Sequence, residues 1–123
     1  MPKEPPLSAD RLLFNLEDKA FFEGLECVGP DQNQGMFKRS IGFHNNNPPC
    51  ATRHQELEGL LNNGALPDEV KPPLKQVMQS SIQVGVCQFW QSNHDPRAQG
   101  GDCQAAEAVL NEARDEFRRR YRY

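Results

Sequence analysis

A chain of 123 residues with 37% hydrophobic residues has room for one small core, so a second independent core within it is not expected. Leu, Ile, Val and Phe make up about 21% of the residues, just above the roughly 20% below which chains tend to stay disordered, so that core is thin. The net charge of -3 excludes a protein held to nucleic acid by overall basic charge.

The first seven residues, Met1 to Leu7, are Pro-rich and predict an extended arm (1–7). Met1 to Asp10 has no apolar stretch of the secretory kind, which argues against a cleaved leader. Ser8 is a suitable N-cap, and Leu12, Leu13, Leu16 and Ala20 recur at helical spacing. The first helix should run over about 8–23 and stop at Gly24, or a turn later at Gly29-Pro30. Residues 31–49 are rich in Gln, Asn, Gly and Pro and predict a long polar loop laid on another surface, with a short hairpin over Met36 to Phe43 as one local form.

Ala51 to Asn63 carries Leu57, Leu60 and Leu61 and ends at Gly64, a short helix. Pro67-Asp68-Glu69 opens one more turn. Lys71 precedes a proline and should be non-helical, so the third helix is placed at about 73–92. Its apolar stripe is Leu74, Val77, Met78, Ile82 and Phe89, with Ser81 and Gly85 as small members. The uncharged run from Gln76 to Asn93 holds too many amides and hydroxyls for a membrane span. Asp102 should cap a last helix over about 102–121, whose inner face is Ala106, Val109, Leu110, Ala113, Phe117 and Tyr121. The expected fold is mainly α: a single small domain with an antiparallel helical hairpin (about 73–92 and 102–121), shorter helices and the irregular loop.

The four cysteines, Cys27, Cys50, Cys87 and Cys103, have no zinc-knuckle or C-x-x-C spacing. In an antiparallel hairpin Cys87 and Cys103 lie opposite each other, and Cys27 and Cys50 flank the loop. Two disulfides or four reduced, partly buried thiols both fit this pattern. Cys50 and His54 share a helix face, but no third group orients them, so neither a catalytic nor a metal site is expected and no cofactor is implied. The candidates for partner contact are Trp90, near the polar connector, and the C-terminal Arg118, Arg119, Arg120 and Tyr121. That basic tail suits a helix C-terminus, an acidic protein surface or lipid headgroups.

From Lys75 to Tyr123 the order is helix, Cys87, a polar Gln- and Gly-containing connector, Cys103, then an amphipathic helix ending in aromatic and Arg residues. This stretch resembles the end of the PDSW-type accessory subunits of mitochondrial respiratory complex I. The connector is longer than in that family, and the first 70 residues carry no likeness to it. The resemblance implies a structural Cys87–Cys103 disulfide and a scaffolding role without cofactor or catalysis. It also implies a place on the intermembrane-space side of the inner membrane, reached without a cleaved presequence.

Two functions from different classes follow. One is a non-catalytic accessory subunit of a large, mitochondrial membrane assembly, with other subunits as partners. The alternative is a freestanding bacterial or viral inhibitor or adaptor, with a cytoplasmic location.

Overall fold

A computed structural model describes residues 8–29, 48–62, 64 and 66–121. The expected arm (1–7), the hairpin at 36–43 and almost all of the expected loop lie outside the described residues. The fold is mainly α, with four α-helices and no strand among the described residues. They are α1 (Ala9–Glu23), α2 (Pro48–Leu61), α3 (Lys71–Ser92) and α4 (Gly101–Arg120). Short 3-10 turns at Asp68–Val70 and Pro96–Gln99 lead into α3 and α4.

Ser8 caps α1, its hydroxyl accepting from the Arg11 amide at 3.2 Å. The regular α-helix ends at Glu23 with Gly24 as its C-cap, and the chain continues as a π-helical turn over Gly24–Val28 to Gly29, the later of the two expected stops. The reason is packing. A methyl group on Gly24 would fall on the Ile82 carbonyl oxygen of α3, and one on Gly85 would fall on the Phe21 carbonyl oxygen. The two glycines let the backbones of α1 and α3 touch, so Gly24 serves a helix crossing as well as the end of α1.

Other boundaries move for local reasons. Pro48 and Pro49 belong to α2 and not to the loop, because a helix's first turn needs no amide hydrogen from them. Lys71 is helical, at φ -65 and ψ -44, because the turn at Asp68–Val70 runs straight into α3. Gly100, not Asp102, is the N-cap of α4; Asp102 sits in the first turn, where a carboxylate suits the helix dipole. Between α3 and α4, His94 takes a positive φ of 55, a left-handed conformation that His accepts more readily than most residues. Asp95 then caps the next turn through the Arg97 amide.

The core is one cluster fed by all four helices. Leu12, Leu13 and Leu16 of α1 meet Leu57 of α2, Leu74 and Val77 of α3, and Leu110 and Phe117 of α4. Along α3 and α4 the contacts run in opposite order. Pro73 and Gln76 share a groove with Ala113 and Glu116, and Gln83 shares one with Asp102 and Ala105. At the far end Cys87 is bonded to Cys103. The buried arc of α3 is wide because α1 packs on one side and α4 on the other, so Val86 and Trp90 are buried and Phe89 is only half-buried.

Ion pairs hold three surface carboxylates, exposed Glu56 and half-buried Asp95 and Glu116, below their ordinary range: Asp95 through its hydrogen bond from Arg97, Glu56 through that from Lys19, and Glu116 through that from Arg119. A carboxylate depressed in the folded state contributes stability above its unfolded pKa, and that contribution is lost as pH falls through the folded value. Urea unfolding should therefore be flat from neutrality to about pH 5 and weaken below about pH 4. Added salt should shrink the change, most of all at the exposed Lys19–Glu56 pair.

Candidate functional site

All four cysteines are used in the structure. Cys27 bonds Cys50 with a Cα–Cα separation of 5.9 Å, and Cys87 bonds Cys103 with 5.7 Å. The first ties the π turn after α1 to the start of α2; the second ties α3 to α4. Cys27 and Cys50 are buried, whereas Cys87 and Cys103 are half-buried. With its sulfur in a disulfide, Cys50 is no thiol partner for His54. That imidazole instead bridges two carboxylates, Nδ1 at 3.0 Å from buried Glu23 and Nε2 at 3.1 Å from exposed Glu58. The bridge joins α2 to α1 beside the Cys27–Cys50 bond.

The residues singled out for partner contact fall in unexpected places. Trp90 is 8% exposed and lies under the Arg97 guanidinium, 4.6 Å from the ring centroid. Tyr121 is 4% exposed and stacks on Phe117 with ring centroids 5.0 Å apart. Neither ring presents itself to a partner: Trp90 is covered, and Tyr121 completes the core. The three arginines are surface residues already engaged within the molecule. Arg118 reaches Asp10 of α1 at 3.1 Å, Arg119 reaches Glu116 at 3.0 Å, and Arg120 reaches Glu116 at 3.1 Å and the Glu69 carbonyl at 3.0 Å. The C-terminal basic run is thus largely neutralised by acids that surround it.

A different surface is apolar and open. Phe14 is 70% exposed and Phe22 39%, the large hydrophobic side chains exposed among the described residues. Both belong to α1, but Phe22 turns toward α2, beside Thr52, Arg53 and Glu56. Beside Phe14 a groove of about 280 Å³ is walled by Phe21, Val84 and Leu110, with Ser81 among its lining residues. The Ser81 hydroxyl is buried and has no hydrogen-bond partner among the described residues. Glu17 and Arg114 edge the groove and form an ion pair that joins α1 to α4, with the Arg114 Nε at 2.9 Å and 3.0 Å from the two carboxylate oxygens. The hydrogen bond from Arg114 to Glu17 raises the guanidinium's pKa.

No protein-family model, curated protein or solved structure matches the chain. What the surface can do is therefore read from its own chemistry: apolar walls, a shallow opening and acidic edges suit side-chain docking. The Glu17–Arg114 pair shapes that opening. Glu17→Gln should keep the fold but cost about 1–2 kcal/mol, since it removes a charged partner from a half-buried guanidinium. Chemical denaturation of the variant checks this, with Asp68→Asn, whose side chain is 98% exposed, as the near-neutral comparison.

Proposed function

We propose that the chain is a non-catalytic accessory subunit that helps scaffold a large protein assembly on the intermembrane-space side of the mitochondrial inner membrane. The observation that carries this reading is the exposed Phe14 of α1 beside an apolar groove, on a thin-cored bundle that can ill spare apolar side chains. An exposed Phe14 at the edge of an apolar groove is what a subunit shows when its neighbours are removed. The location is supported by two disulfides that use every cysteine, and by the likeness of the last 49 residues to the PDSW-type subunits. The likeness supplies the respiratory assembly; the disulfides supply only an oxidising compartment.

Native extraction in mild detergent, followed by size separation, tests the reading. The chain should travel with an assembly many times its own 14.0 kDa, and become protease-accessible when the outer membrane is ruptured. Recovery as a free monomer would overturn it. The covalently closed bundle favours one alternative, a freestanding adaptor or inhibitor, which would be recovered as a monodisperse monomer or dimer able to refold alone.

A further inference from the structure

We infer that the groove beside Phe14 seats an amphipathic helix of a partner protein, one whose apolar stripe is flanked by Lys or Arg. This deepens the interaction reading above and rests on it.

Size, length and charge each point to that occupant. A closed cavity of about 150 Å³ admits a benzene ring, so a groove of about 280 Å³ takes one or two large side chains. The apolar wall runs along α1, because Phe14 and Phe21, seven positions apart on one helix face, both line the groove. Seven residues of helix span about 10 Å, roughly two turns. That is more than one small molecule needs and about what a helix presents with anchors at four-residue spacing. The buried Ser81 hydroxyl offers a hydrogen bond to a polar-tipped anchor.

The edges choose the sign of the partner. Glu17 and Asp18 line the groove, Glu107 of α4 lies near enough to act on Arg114, and Arg114 is already bound by Glu17. Asp18 is exposed and has no ion-pair partner among the described residues. The surplus is negative, which attracts a cationic helix. The same surplus repels anionic lipid headgroups. It also sets like charges against each other if two copies of this chain meet symmetrically through this face.

The test places a photoreactive benzophenone side chain at position 22 of the full chain, with a second version at exposed Gln104 on α4 as control. Both are irradiated in intact cells or organelles, and the crosslinked peptides are sequenced. The expected product from position 22 is a segment of another protein with apolar residues at helical spacing and flanking Lys or Arg. Charge reversal by Asp18→Lys should cut its yield about tenfold, the equivalent of about 1.4 kcal/mol. Phe14→Ser should do likewise. Thermal unfolding confirms that each variant is folded, and Asp18→Asn replaces Asp18→Lys if that one is not. Crosslinks to lipid, to a second copy of this chain or to an acidic segment would overturn the inference. So would crosslinks from Gln104 but not from position 22, although the chain would then still be an interacting subunit. A chain recovered as a monomer overturns both readings.

Discussion

Gly85→Ala should destabilise the bundle by about 3 kcal/mol or more, although alanine is the better helix former by about 1 kcal/mol. Gly85 lies inside α3, where propensity alone favours the substitution. The crossing with α1 reverses the sign. An added methyl would land on the Phe21 carbonyl oxygen and press on the Leu25 amide, and both are backbone atoms held by their own helix. Neither can swing away as a side-chain tip would, so the helices must part, and the core between them opens. Gly24→Ala should behave alike, since its methyl meets the Ile82 carbonyl and the Val86 amide. Gly59 in α2 is the control: nothing lies within 4 Å of its added methyl, so Gly59→Ala should be neutral or stabilising by up to about 1 kcal/mol. Thermal unfolding of the three variants separates the cases. A Gly85→Ala protein as stable as the parent would mean that the backbones are not in contact.

The second large effect belongs to the disulfide at the start of α2. Replacing Cys27 and Cys50 together by Ala should cost about 3 kcal/mol through the entropy of the unlinked chain alone, for a sequence separation of 23. Some packing is lost besides, because both side chains are buried. Replacing Cys87 and Cys103 should cost less. The bond closes a shorter separation of 16, and the helices it joins already meet along their length. The order of reduction should be reversed relative to the order of importance. Cys87 and Cys103 are half-buried and should react first with dithiothreitol, whereas Cys27–Cys50 should resist until the bundle opens. Stepwise reduction with alkylation, read beside urea denaturation of the two double variants, checks both orders. A Cys27/Cys50 variant less affected than the Cys87/Cys103 variant would contradict this account.

The helical pattern of the chain is legible without coordinates because it is local. Leu12, Leu13, Leu16 and Ala20 repeat at 3.6-residue spacing, and each is buried. So are Leu110, Ala113 and Phe117 on the last helix. What misleads is any residue whose role depends on something distant in sequence. Gly24 reads as a stop, yet its missing side chain serves Ile82. Phe89 and Trp90 are neighbours a third of a helix turn apart, and only the position of α1 and α4 around α3 decides which is buried.

The charged tail misleads in the same way. Arg118, Arg119 and Arg120 read as a patch in one dimension, but Asp10, which pairs with Arg118, is 108 residues away. The groove was invisible for the same reason, since its ion pair joins Glu17 to Arg114 across 97 residues. Its one sequence signal was available: Phe14 and Phe22 fall outside the Leu12–Leu16–Ala20 stripe, and apolar residues off the buried stripe of an amphipathic helix face outward.

Two disulfides lock the helical bundle. Peptide mapping of natively isolated protein, alkylated at once and digested without reductant, tests it most directly. Two linked peptide pairs are expected, one joining Cys27 to Cys50 and one joining Cys87 to Cys103, with no alkylated cysteine. Four alkylated thiols, or Cys27 linked to Cys87 or Cys103, would contradict it.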